Sequence, residues 1–240
     1  MPHEHGAWGI LLIPFATAVG VTGVFDLKAA LLLGSVLCFY VARTGYLKGS
    51  LQWTGILIGL SFGCAFPLLF FWRLWWLVLF GVIAAPLAFR KTERSVVMQL
   101  LAVGGLTLTA PAACYAATGA LDARALRLWL LNVLYFASGV FYVKMHIAAA
   151  IRRQLFDGLA DRARCGASVL AYHAGLVAIL VALAAGGVIA FWVLLAYAPI
   201  VVRAIIGVVR LKPVLRIKQL GWTEVAYSLV FAALLIATIR

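Results

Sequence analysis

The chain alternates long apolar runs with short stretches of turn-forming or charged residues. Nine runs approach the length that crosses a bilayer as a helix, at about 7–25, 28–43, 51–71, 74–89, 95–118, 125–148, 166–186, 188–210 and 222–239. None shows the period-two alternation of a membrane barrel, so helices are expected throughout. Turn residues separate the runs: Asp26 after the first, Gly45 and Gly49 after the second, Gly186-Gly187 after the seventh, Pro213 and Gly221 before the ninth. The pattern predicts an all-α membrane protein, a bundle of about nine transmembrane helices forming one polytopic domain over residues 1–240.

Composition agrees with the pattern. Of 240 residues, 66% are hydrophobic and 11% charged, and the mean hydropathy is +1.10. Soluble domains are closer to half apolar and a quarter charged. The net charge of +13 forms no separable basic domain, so nucleic acid is not expected as a partner. The charge instead sorts by side. With nine spans, Arg43, Lys48, Arg90, Lys91, Arg94, Lys144, Arg152, Arg153, Arg162, Arg164, Arg203, Arg210, Lys212, Arg216 and Lys218 share one face, 15 of the 20 basic residues. Basic flanks are retained in the cytoplasm. The expectation is an inner (plasma) membrane protein with the N-terminus cytoplasmic and the C-terminus outside. The start lacks a basic n-region and a small-residue cleavage pattern, so no cleavable signal is expected.

Two patterns predict packing. Gly55, Gly59, Gly63 and Pro67 recur every fourth residue on one face of the third run, the spacing of a close-packing ribbon. Ile151, Leu155, Phe156 and Leu159 form one stripe among Arg152, Arg153, Asp157, Asp161 and Arg162, which predicts an interfacial amphipathic helix.

Candidate chemistry lies on few residues. In the sixth run Asn132, Tyr135, Gly139, Tyr142, His146 and Arg153 step by three or four, with Ala149 filling the gap, and share one helix face. Such a face lines an interior or a wet cavity, either as a hydrogen-bonded glue between helices or as a ligand-facing wall. Arg203 either snorkels toward the membrane surface or points inward to pair with Glu224. His173 and Tyr172 read as a buried hydrogen-bonding pair. His3-Glu4-His5 is not a zinc signature, and no cysteine pair, P-loop, nucleophile elbow or dinucleotide fingerprint occurs. No metal, no cofactor and no catalytic residue is assigned.

The opening stretch PHEHGAWGILLIPF resembles the YwiC-like family of bacterial integral membrane proteins, whose members begin with an E-H-G-A-W element. Tyr142–Arg153 (YVKMHIAAAIRR) and Lys212–Ser228 (KPVLRIKQLGWTEVAYS) are also similar to that family. The resemblance implies a family without an established activity. A more distant similarity is to UbiA-type intramembrane prenyltransferases, which implies nine helices with functional loops after the second and sixth. Those enzymes hold magnesium and a prenyl diphosphate on aspartate-rich motifs. Here the first loop reads Arg43-Thr44-Gly45-Tyr46-Leu47-Lys48 without an acid, so the magnesium chemistry is not implied.

Three readings are open. In the first, an anionic headgroup or a lipid-soluble, isoprenoid-like ligand binds at a basic cytoplasmic-side cavity. Its ligand-binding residues would be Glu4, His5, Arg43, Lys48, Tyr142, His146, Arg152, Arg153, Arg203, Arg210 and Glu224. In the second, the protein is a small-anion or proton-coupled transporter using His146, His173, Arg203 and Glu224. In the third it is a non-catalytic membrane subunit whose basic face meets acidic lipid headgroups.

Overall fold

Lipid offers the backbone no hydrogen-bond partners, so an apolar run must satisfy its own amides and carbonyls as a helix. The computed structural model describes residues 5–47, 49–89, 95–152, 156–213 and 217–239, with the side chains of 5–7, 87–89 and 217–218 outside the description. These residues form α1 (His5–Thr22), α2 (Leu27–Leu47), α3 (Leu51–Phe70), α4 (Trp76–Phe89), α5 (Val96–Leu106), α6 (Thr109–Thr118), α7 (Ala123–Arg152), α8 (Leu159–Cys165), α9 (Ala167–Ala185), α10 (Leu194–Val209) and α11 (Ile217–Ile239). Among the described residues seven spans are long and apolar enough to cross a membrane, and two shorter apolar helices, Trp8–Thr22 and Trp76–Pro86, accompany them. The count of nine is therefore approximate, while the all-helical membrane class stands.

The chain forms two compact units, Met1–Val133 and Leu134–Arg240. In the first, α2 and α3 run antiparallel and close. Ser61 Oγ donates to the Ser35 carbonyl at 2.8 Å, and a Cβ added at Gly45 would lie 2.9 Å from Thr54 Oγ1. The Gly55, Gly59 and Gly63 ribbon does not make this contact. Added Cβ atoms there meet nothing within 4 Å, and all three glycines are exposed. The opposite face of α3, carrying Thr54, Ser61 and Cys64, does the packing. Periodicity located a small-residue face but could not say which face has the neighbour.

The fifth predicted span is broken into α5 and α6. Pro111 has no N–H to give the Thr107 carbonyl, which instead accepts from Ala110 at 3.0 Å. Polar side chains take up the carbonyls that the break releases, as intramembrane breaks require. The Gly104 carbonyl accepts from Thr107 Oγ1 and from Trp129 Nε1, each at 3.1 Å. Thr109 Oγ1 reaches across to the Leu11 carbonyl of α1 at 2.9 Å.

Carboxylates open two of the helices. Asp26 Oδ1 accepts from the Ala29 amide at 3.0 Å and Asp122 Oδ1 from the Ala125 amide at 2.9 Å. Burial works against ionisation of Asp26, yet the Ala29 amide and Lys28 win and hold its carboxyl below the usual range. Asp122→Ala removes the cap of the 30-residue α7. It is expected to cost about 1 kcal/mol, read as a lowered unfolding midpoint in detergent.

In the second unit the expected amphipathic helix is not continuous. Ile151 and Arg152 end α7, Phe156 to Gly158 are non-helical, and α8 begins at Leu159. Gly158, just before α8, has φ +103, a left-handed conformation that favours glycine. Leu155 and Arg153 lie outside the described residues. Short α8 instead closes the end of α10, where Arg162 Nη1 donates to the Val209 carbonyl at 2.6 Å. A cation at that terminus meets the helix carbonyls and the negative end of the dipole.

Candidate functional site

Each unit holds one feature capable of binding. In the first unit α1 to α6 line an open-sided cavity of about 580 Å³, within the range of small-molecule sites. Its wall is mostly apolar, with Leu32 and Val36 of α2, Ala65 and Leu68 of α3, Phe80 and Ala84 of α4, and Ala102 of α5. The polar lining divides into two sets. Ser35 and Ser61 bond to each other's helix, and Thr109 is taken by Leu11. Tyr40, Arg43 and Gln99 form the second set. Arg43 lies four residues before the end of α2 and Gln99 in the first turn of α5. Both line the cavity toward the end where α2 finishes and α5 starts. Along α2 the lining runs from Leu32 to Arg43, about 16 Å at helical rise. The shape is an apolar slot with a cation at one end.

The α3–α4 turn marks the other end of this unit. Phe71, Trp72, Trp75 and Trp76 are exposed there, as in the aromatic belts of membrane interfaces.

In the second unit the polar face of α7 points inward as its spacing predicted. Tyr135 is buried and stacks on Phe231 with centroids 3.8 Å apart. Tyr142 is buried and meets His146 edge to face at 4.8 Å. Arg203 of α10 is 5% exposed, so it does not snorkel. Its Nη1 donates to Glu224 Oε1 of α11. The guanidinium carbon lies 4.3 Å from the Tyr142 ring centroid and 5.1 Å from that of Tyr227, two cation–π contacts. Small residues make the space. A Cβ on Gly207 would lie 2.6 Å from a Tyr142 ring carbon, and one on Gly139 would lie 3.3 Å from Glu224 Oε2.

The pair expected on α9 is arranged differently. Tyr172 and His173 meet edge to face at 5.6 Å but do not bond to each other. Tyr172 donates its hydroxyl to the Leu134 carbonyl at 2.7 Å, and His173 Nδ1 lies 2.8 Å from the Val169 carbonyl. Backbone carbonyls within reach outcompete a neighbouring ring that points away along the same helix.

The sequence-derived set thus separates. Tyr142, His146, Arg203 and Glu224 come together in the second unit, while Arg43 belongs to the cavity of the first. Arg152 is exposed and donates to Asp161 Oδ1 at 2.7 Å, and that bond holds the Asp161 carboxyl below the usual range. Arg210 is exposed at the end of α10. Glu4, Lys48 and Arg153 lie outside the described residues, as does the side chain of His5. Sequence reading missed Tyr227, although its place three residues after Glu224 puts it on the same face of α11. It also missed Tyr40 and Gln99, which carry no periodic signal. Among the described residues no three His, Cys, Asp or Glu side chains come together in a metal-binding group.

These features define a polytopic helical membrane protein with an apolar cavity and a buried ion pair. Residues 1–114 match the family model described as YwiC-like protein, so the YwiC-like likeness read from the opening motif is shown over that stretch. The match does not include Tyr142–Arg153 or Lys212–Ser228. No curated protein and no solved structure matches the chain.

Proposed function

We propose that this protein binds a lipid-soluble ligand carrying an anionic head, with the apolar part in the cavity of the first unit and the head at Arg43. The observation that carries this is the cavity itself: about 580 Å³ of mostly apolar space whose cation lies at one end. An amphipathic molecule matches that distribution. Its chain replaces lipid contacts inside the slot, and its carboxylate or phosphate receives charge-assisted hydrogen bonds from a guanidinium. An isoprenoid-like chain and a straight acyl chain both suit such a wall.

The basic end of the slot is assigned to the cytoplasm of a plasma-membrane protein, because 15 of the 20 basic residues fall on that side when nine spans are counted. The N-terminus is then cytoplasmic and the C-terminus outside. Glu4, His5 and Lys48 join the same face by this count.

The test is displacement of a dansyl-labelled fatty acid from the purified protein by oleate, farnesyl phosphate or uncharged monoolein. Arg43→Ala is expected to weaken oleate and farnesyl phosphate by about tenfold, the loss of one charge-assisted contact. Monoolein should compete as before. Saturable binding that is indifferent to Arg43, or the absence of saturable binding, defeats the reading.

A further inference from the structure

The buried Arg203 uses only part of its hydrogen-bonding capacity. Nη1 is engaged by Glu224, whereas Nε and Nη2 are buried and have no partner among the described residues. These two nitrogens form the side edge of the guanidinium, where two parallel N–H groups match the two oxygens of a carboxylate or phosphate. The guanidinium carbon lies over the Tyr142 ring at 4.3 Å and over the Tyr227 ring at 5.1 Å, and the N–H groups that donate lie in the guanidinium plane. Glu224 takes the remaining end. A partner for Arg203 must therefore arrive in the plane, on the Nε–Nη2 edge.

Charge sets the second condition. Arg203 and Glu224 together are neutral, and the pair lies within membrane-spanning helices. Arg203 is six residues before the end of α10, about 9 Å at helical rise. An anion added to a neutral pair there leaves one uncompensated negative charge in a poorly solvated place, which is costly. The cost disappears when a proton enters with the anion. Glu224 is the acceptor: it is already paired to Arg203, and its side chain is 21% exposed, so a proton can reach it. The other titratable groups within electrostatic reach of Arg203 are Tyr135, Tyr142 and His146 from α7 and His173 from α9, with Tyr227 beside Glu224 on α11. None of them is ion-paired with Arg203.

We propose that Arg203 and Glu224 form a proton-linked oxyanion site, at which one carboxylate or phosphate monoanion binds the Nε–Nη2 edge of Arg203 as one proton binds Glu224. This site belongs to the second unit and stands independently of the cavity of the first.

The experiment is calorimetric titration of the full chain in nanodiscs of uncharged phosphatidylcholine, at pH 5.5 and pH 7.5. Formate represents a free carboxylate and dimethyl phosphate the phosphodiester of a lipid headgroup; both stay ionised across this range. Repeating each titration in buffers of different ionisation enthalpy counts the protons. The wild type is expected to bind at least one of them saturably, taking up about one proton and binding at least tenfold tighter at pH 5.5, as linkage to one proton requires. Glu224→Gln keeps the shape and a hydrogen-bond acceptor but removes the titration and the negative charge. It should bind the same probe without proton uptake and with less than twofold dependence on pH. Arg203→Lys removes the planar edge and should weaken binding at least tenfold. Which probe wins decides between a soluble carboxylate and a lipid phosphate. No saturable binding of either probe, or binding that Glu224→Gln leaves pH-dependent, overturns the proposal.

Discussion

Arg203→Ala is expected to destabilise the protein by about 3–5 kcal/mol, the range found when one partner of a buried ion pair is removed. The loss has two parts. Glu224 keeps a charge in a site built around a cation, and two aromatic rings lose the cation that lies over them. Glu224→Ala should cost as much, because the 5% exposed guanidinium is then unneutralised inside the span. Replacing both at once with apolar side chains, Arg203→Met with Glu224→Leu, should recover the protein to within about 1 kcal/mol of wild type, since a well-packed apolar pair dispenses with desolvation of two ions. Unfolding in a mixed detergent and denaturant series reads all three variants against wild type. Additive losses in the double variant would show that the two residues contribute separately and that the pairing is incidental. A recovered double variant that no longer binds anions would assign the pair to function, because folding would be shown not to require it.

Ala102→Phe is expected to have the opposite signature. Ala102 lines the apolar wall of the first unit's cavity and is half-buried. A ring placed there fills empty space, and cavity filling commonly adds about 0.5–2 kcal/mol of stability. The same ring occupies the path of a chain lying along the slot, so displacement of the dansyl fatty acid should weaken by about tenfold, as a clash or a lost apolar contact of a few methylenes produces. Stability rising while binding falls cannot come from general damage. If binding persists at full strength with the ring in place, the ligand does not use this cavity. Paired with Arg43→Ala, the two variants separate recognition of the chain from recognition of the head: the first should weaken charged and uncharged competitors alike, the second only the charged ones.

Much of this was written in the sequence. Apolar run length determined the helices and their order, because lipid leaves a backbone no alternative, and each predicted span has its helical counterpart in the structure. The three- and four-residue steps from Tyr135 to His146 determined that α7 has a polar face, because side chains at that spacing must share a side. The scarcity of acids made Glu224 the natural partner for an inward Arg203.

Other features were decided only by the tertiary structure. Whether Arg203 snorkels or turns inward depends on the space opened by Gly207 and on the rings of Tyr142 and Tyr227, which come from three different helices. Which face of α3 is packed depends on where α2 lies, and the glycine ribbon that looked made for contact faces away from it. The cavity around Leu32, Ala102 and Arg43 has no sequence signature at all, being the space left between helices rather than a property of any one of them. Periodicity is a local quantity and fixes what a single helix presents; a void, a cation–π contact or a buried ion pair exists only between helices, where separate stretches of chain are brought together by packing.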